Sequence, residues 1–270
     1  MKRTTSALAL MVALLIAFLP VSSIPSLKAV FEAPPPQWSR TYMRMLNYSV
    51  KGFPVSAEDE GRFVIQTTDG GYAIFAALID HHYEPHSGGV DNRTSMVIKT
   101  DSSGEVQWEK GNSIITSNPS SIFQTKDAGF LLSGDNQLLK LDAEGNVQWS
   151  KNFDCYFVGI QASDGGYVLA GFIPDYDSVA MLLKTDENGN LLWNKTFSAS
   201  SGWSRASAIV ETDDGGYAVA GYRDGAWFAV TDSDGNLKLS QNFPEIEGYF
   251  TSIAKTEEGG FILVGGTSPG

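Results

Sequence analysis

Apolar residues beyond the N-terminal segment fall in short runs separated by Gly- and Asp-rich clusters, and helical spacing is nowhere sustained. Runs of this kind bounded by turn residues predict strands, and they recur in four forms in a fixed order. The first form ends at Asp-Gly-Gly, as in Ile65 to Gly71 and Ile209 to Gly216, where glycines permit the positive φ of a tight turn. The second, such as Gly166 to Gly171, is apolar throughout and predicts a strand buried on both faces. The third opens with Met96, Leu138, Met181 or Trp227. Asp-x-x-Gly-Asn then turns the chain into the fourth, where Leu191, Trp193, Lys195 and Phe197 share one face at period 2 and Val147, Trp149, Lys151 and Phe153 repeat them. The expected helix content after the N-terminal segment is close to nil.

The order of these forms exposes a repeat. Lys184 to Phe197 reads KTDENGNLLWNKTF and Lys140 to Phe153 reads KLDAEGNVQWSKNF, identical at half of their positions, with looser copies from Lys99 and Val230. The companion DGGY-like segment occurs from Gln66, Gln124, Gln161, Glu211 and Lys255. The aspartates Asp101, Asp142, Asp186 and Asp232 set a period of about 40 to 46 residues, the length of a four-stranded propeller blade. One such sheet cannot cover both of its faces, but units packed face to face bury them continuously. We therefore expect an all-β fold, a β-propeller of four-stranded antiparallel blades with at least five units, in preference to a linear solenoid. The units span residues 63–110, 121–153, 157–197, 206–243 and 250–267. Trp108, Trp149 and Trp193 are expected to fill the gaps between blades near the rim, and Gly71, Gly166, Gly216 and Gly260 to serve the repeated turns.

Residues 38–42, Trp-Ser-Arg-Thr-Tyr, match Trp193 to Phe197 but follow no first three strands, which is what a closing strand shared between the two ends of a ring would look like. The last unit shows only two strands. Either the closing blade is three-stranded or the sequence is the front part of a longer protein; the second is favoured, because Phe261 to Gly265 would otherwise form an exposed apolar edge.

With the DGGY and KTDxNGNxxWNKTF segments in hand, residues 38 to 267 resemble the secreted β-propeller repeat proteins of archaeal and bacterial cell surfaces. The resemblance implies the fold and an extracytoplasmic location; it implies no catalytic residues. It is poorest in the second unit, where Ala128 replaces a Gly and the loop between second and third strands shrinks to about two residues.

Composition adds an address and removes some partners. Lys2 and Arg3 precede an apolar run from Ala7 to Leu19 that is short for a membrane span, followed by Pro20 and small polar residues. Residues 1–29 read as a signal peptide, cleaved after Ser23 or Ala29, with an uncleaved N-terminal anchor as the alternative; the propeller domain is 30–270. Removing Lys2, Arg3 and Lys28 takes the formal charge from -12 to -15, so nucleic acid and anionic lipid are poor partners and no membrane insertion of the mature chain is expected. Cys155 is the only cysteine, which excludes an intrachain disulfide.

Several motifs carry candidate chemistry. Asp186-x-Asn188-Gly189-Asn190 and Asp232-x-Asp234-Gly235-Asn236 resemble the start of a calcium loop, yet no copy adds the later bidentate Glu, and a tight turn selects the same residues. Asn47, Asn92 and Asn194 head glycosylation sequons, of which only Asn92 is expected in a loop. His81, His82 and His86 share one segment, where a transition-metal site competes with a solvated loop. No nucleophile elbow or phosphate loop is present, and no cofactor is expected.

Strand order locates the function. Turns joining strands one to two and three to four are short and uniform, whereas the connections two to three and blade to blade vary and emerge together on the opposite side. That variable face is expected to carry His81, His82, Tyr83 and His86, Asp175, Tyr176 and Asp177, Trp203 and Arg205, and Arg223. The reading is a non-catalytic extracytoplasmic binding or display module for a surface glycan or protein; the alternative is a propeller hydrolase or lyase using the central channel.

Overall fold

The computed structural model describes residues 42, 55–84, 88–111, 119–174, 178–200 and 202–267. Every regular element among them is a strand. The first blade is β1 (Val55–Gln66), β2 (Tyr72–Glu84), β3 (Gly88–Thr100) and β4 (Val106–Gly111). The second is β5 (Pro119–Gln124), β6 (Phe130–Gly134), β7 (Gln137–Leu141) and β8 (Val147–Asn152). The third is β9 (Tyr156–Gln161), β10 (Tyr167–Ile173), β11 (Val179–Thr185) and β12 (Leu191–Phe197). The fourth is β13 (Ser204–Glu211), β14 (Tyr217–Arg223), β15 (Ala226–Thr231) and β16 (Leu237–Phe243), and the described part of the fifth is β17 (Gly248–Lys255) and β18 (Phe261–Thr267). Four sheets are thus four-stranded antiparallel meanders and the last is a two-stranded pair. Their first strands lie side by side, β1 against β5, β5 against β9, β9 against β13 and β13 against β17, so the blades pack as in a β-propeller.

Alternation along the strands explains the stacking. Tyr167 and Leu169 of β10 join Leu131 and Leu138 of the second blade in one core cluster, while Val168 and Ala170 of the same strand join Tyr217, Val219 and Trp227 of the fourth blade in another. Two further clusters join the first blade to the second and the fourth to the fifth. A second strand must therefore be apolar on both faces, because each face belongs to a different interface. Cys155 is buried, and that burial together with Asp154 pushes its thiol up to about 12, which leaves it inert as a nucleophile.

The repeated strip proves to be the clamp between blades. Trp108, Trp149 and Trp193 lie half-buried against Phe130, Tyr167 and Tyr217 of the next blade at 5.7, 5.8 and 6.1 Å between ring centroids. The same rings cover the next blade's turn glycines: a Cβ added at Gly145, Gly189 or Gly235 would stand within 2.9 Å of the Trp108, Trp149 or Trp193 ring. Lys110, Lys151 and Lys195 donate from Nζ to Asn146, Asn190 and Asn236 in those turns at 3.3, 3.2 and 3.0 Å. Trp, Lys, Gly and Asn recur together because they meet across each interface. Tyr42, the one described residue of segment 38–42, donates its hydroxyl to the carbonyl of Gly104 in the corresponding turn of the first blade. Trp193→Ala should cost about 2–3 kcal/mol, less than a fully buried Trp because one edge of the ring is already wet. Trp203→Ala, at a side chain 60 % exposed, should cost under about 0.5 kcal/mol. Urea melts of the two variants check this ordering.

The Asp-Gly-Gly turns do more than reverse the chain. The first Gly takes the positive φ, 82° at Gly70 and 94° at Gly165, and Ala128 adopts 63° in the second blade without a glycine. The second Gly is not there for positive φ: a Cβ at Gly71, Gly166 or Gly216 would overlap the carbonyl oxygen of Thr100, Thr185 or Thr231 on the third strand, whereas at Gly260 the nearest atom is Thr256 Oγ1 at 3.2 Å. The turn aspartates Asp69, Asp127 and Asp164 each pair with a buried lysine, Lys99, Lys140 or Lys184, at 2.8, 2.8 and 2.5 Å. Lys99 and Lys140 also donate to the Thr100 and Leu141 carbonyls, so the buried ammonium is satisfied. Val230 stands at this lysine position in the fourth blade, and Lys238 of the fourth strand reaches Asp214 instead, at 2.7 Å.

The hydrogen bonds from Lys99 and Thr67 hold the Asp69 carboxyl at about 2, and those from Lys238 and Thr212 do the same for Asp214. A carboxylate depressed below its ordinary value of 3.8 contributes stability above that value and loses it as pH falls toward 2. Urea midpoints should therefore drop between about pH 4 and 2, and Asp69→Asn should flatten part of that drop; an unchanged slope in the variant would refute the assignment.

Candidate functional site

The inner strands share a device at a matching distance from their ends. Register shifts occur between Gly61 and Phe63, Pro119 and Ser121, Ala206 and Ala208, and Phe250 and Ser252, so bulges sit at equivalent places in four of the five first strands. Beside them the second strands carry glycine: Ala206 pairs with Gly221 and Phe250 with Gly265, and in the unbulged third blade Phe157 pairs with Gly171. A Cβ at Gly171, Gly221 or Gly265 would overlap the carbonyl oxygen of Tyr156, Arg205 or Tyr249. This close backbone approach sets those three residues at matching positions in successive blades, on the side where the variable connections emerge. Bulges that re-aim side chains are enriched beside functional sites.

Two adjoining cavities open there. One, of about 330 Å³, reaches from Phe63 and Ser120 to Tyr156, Phe157 and Arg205, spanning the inner strands of the first four blades. The other, of about 570 Å³, is bounded by Phe172, Trp203, Arg205, Tyr222, Tyr249 and Thr251. They share Phe172, Arg205 and Ser207. Tyr156 stacks on Phe172 at 5.4 Å with the rings 21° apart, and the Arg205 guanidinium lies 4.8 Å from the Phe172 centroid. Trp203, Tyr249 and Tyr156 are 60, 46 and 39 % exposed, an amount of open aromatic surface that folding alone does not require.

Arg205 and Trp203 thus meet in one cavity wall, but Arg205 is on the innermost strand β13, not in a loop as expected from sequence. The sequence reading overlooked Tyr156 and Tyr249, which stand at the starts of β9 and β17. Phe172 and Tyr222 were also missed; the available signal was an aromatic directly after the repeated second-strand glycine, in Gly171-Phe172 and Gly221-Tyr222. Arg223 does not join the cavity: its Nε donates to the Ser198 carbonyl at 2.7 Å, bracing the connection between the third and fourth blades. Asp175, Tyr176, Asp177 and His86 lie outside the described residues.

His81, His82 and Tyr83 are not in an irregular loop. They belong to β2, whose ladder with β3 runs on to Glu84 opposite Gly88 and pairs His81 with Asp91 and His82 with Val90. The same ladder puts Asn92 in β3 opposite Asp80, not in a loop. Continuous backbone pairing through β-compatible His, Tyr, Val and Thr residues overrides the polar composition on which the loop expectation rested. Among the described residues no group of three His, Cys, Asp or Glu is placed to hold a metal.

In the Asp-x-x-Gly-Asn turns, Asp186 Oδ1 accepts the amides of Asn188 and Asn190 and its Oδ2 accepts the Asn190 side chain, and Asp232 is bonded in the same way. These bonds hold both carboxyls below the ordinary range, and they commit the oxygens to the turn that a calcium ion would otherwise use.

No family profile matches the sequence, and no curated protein matches it. Solved structures similar to the chain include a protein of unknown function from Bacteroides caccae, 12% identical, covering 70% of this chain and 84% of that one with a TM-score of 0.45. They also include Sqt1 of Chaetomium thermophilum, at 10% identity, 75% and 63% coverage and a TM-score of 0.49. The Pan2 WD40 domain of Neurospora crassa is 11% identical, with 76% and 72% coverage and a TM-score of 0.46.

Proposed function

We propose that this protein is a non-catalytic binding module of the secreted β-propeller repeat type, exported by residues 1–29 and taking a glycan or protein ligand on its variable face. The observation that carries the reading is the convergence of Trp203, Arg205, Tyr222 and Tyr249 from two blades on one open cavity. Aromatic and Arg side chains are the usual anchors of recognition, and here Arg205, Tyr222 and Tyr249 stand on strands fixed by backbone-to-backbone contact, with Trp203 just before β13. The opposite face, by contrast, repeats one turn in every blade, with Thr67, Thr125, Ala162, Thr212 and Thr256 each bonded to the glycine four residues on. Among the described residues no helix is long and apolar enough to cross a membrane.

Glycan and peptide arrays probed with the secreted protein test the reading. Tyr249→Ala and Trp203→Ala should each weaken the captured ligand about tenfold or more, whereas Ser102→Ala and Ser163→Ala, on the turn face, should leave it unchanged. The reverse pattern would refute the assignment. N-terminal sequencing of the secreted product should begin just after Ser23 or Ala29.

A further inference from the structure

Arg205 is unusual among the described arginines in lacking an oxygen partner. Arg62 pairs with Glu60 at 2.8 Å, Arg223 donates to Ser198, and Arg93 has an interaction of its own, whereas the Arg205 guanidinium lies over the Phe172 ring with no hydrogen bond or ion pair among the described residues. Its planar fork of donors stands at the junction of the two cavities. A guanidinium in this setting is suited to a carboxylate, which it can grip with two parallel hydrogen bonds.

The surrounding walls narrow the choice. Tyr249 and Trp203 offer apolar ring faces, while Ser207, Thr251 and Tyr222 place hydroxyls along the same cavity. A pyranose has the matching character, with C–H groups that lie on an aromatic face and hydroxyls around its edge that exchange hydrogen bonds. About 570 Å³ is in the range of small-ligand sites and suits one or two sugar rings. Charge selects further. The chain carries -12, so a polyanion such as an acidic peptide would be repelled over its length, but a single carboxylate on an otherwise neutral ring meets Arg205 in cavities whose described lining holds no acidic side chain.

Building on the proposed binding function, we infer that the site takes a carboxylated sugar, a uronic acid at the end of a glycan, with its carboxylate on Arg205 and its ring against Tyr249 or Trp203. The ring C–H faces supply contact area, and the Arg205 fork supplies discrimination between an acidic sugar and its neutral counterpart.

Calorimetry on the secreted protein with a glucuronate-terminated disaccharide, the matching glucose-terminated disaccharide and a short poly-glutamate peptide tests this. The acidic sugar should bind about tenfold or more tightly than the neutral one. Arg205→Gln should erase that preference without lowering the melting temperature, since the side chain is exposed and bonds to no oxygen, and Tyr249→Ala should weaken both sugars. Equal binding of the two sugars, an acidic preference that survives Arg205→Gln, or tighter binding of the peptide would each overturn the inference. The underlying reading fails separately: a different array ligand still sensitive to Tyr249→Ala would leave the binding face standing, whereas one indifferent to it and sensitive to turn-face changes would remove both.

Discussion

Trp227→Ala should destabilise the protein by about 3–5 kcal/mol, the range for removing a fully buried large aromatic. Trp227 is the second residue of β15, the third strand of the fourth blade, and is 0 % exposed. Its ring lies 5.5 Å from Phe197 of the third blade, and its Nε1 donates to Ser240 Oγ at 2.9 Å, so the substitution empties an interface between blades and removes that hydrogen bond. Met96 and Met181 hold the same strand position in the first and third blades, which makes Trp227→Met the informative control. It should recover part of the loss. Thermal and urea melts that place Trp227→Ala within 1 kcal/mol of wild type would contradict the described packing.

Gly221→Ala should be nearly as damaging, about 3 kcal/mol, through a different cause. The added methyl would overlap the Arg205 carbonyl, and because that atom belongs to the backbone of an interior strand it cannot swing aside. Relief requires β13 to separate from β14, which would also shift Arg205 and Tyr222 out of the cavity wall. The variant should therefore lose ligand binding together with stability. Gly215→Ala offers a useful contrast: its Cβ meets nothing, but its φ of 76° strains any other residue, so its cost should be about 1 kcal/mol with binding intact.

The contrast between these two glycines shows what the sequence could and could not convey. Period-2 alternation, the Asp-Gly-Gly turns and the Trp-Lys strip made the four-stranded blades legible, because each feature is local and recurs. The partners across blades were not legible. That Trp193 rests on Gly235, or that Lys184 Nζ donates to the Tyr217 hydroxyl of the next blade, depends on which repeat stacks on which, and no single repeat contains both halves. The site was harder still. Trp203 and Arg205 were visible as departures from the repeat, but Tyr156 and Tyr249 sit where a first strand starts, and their common position emerges only once the register aligns Phe157, Ala206 and Phe250 opposite glycine. His81 and His82 misled for the converse reason: polar composition signalled a loop, while ladder pairing between β2 and β3 extends through them.

Hydrogen exchange with and without a bound glycan measures the central claim most directly, because it reports which face is covered. Ligand binding should slow exchange of the amides at the starts of β9, β13 and β17, around Tyr156, Arg205 and Tyr249, and leave those of the Asp-Gly-Gly and Asp-x-x-Gly-Asn turns unchanged. Protection confined to the turns at Gly71, Gly166 and Gly216, with none at Arg205, would show that the ligand sits on the scaffold face and contradict the account.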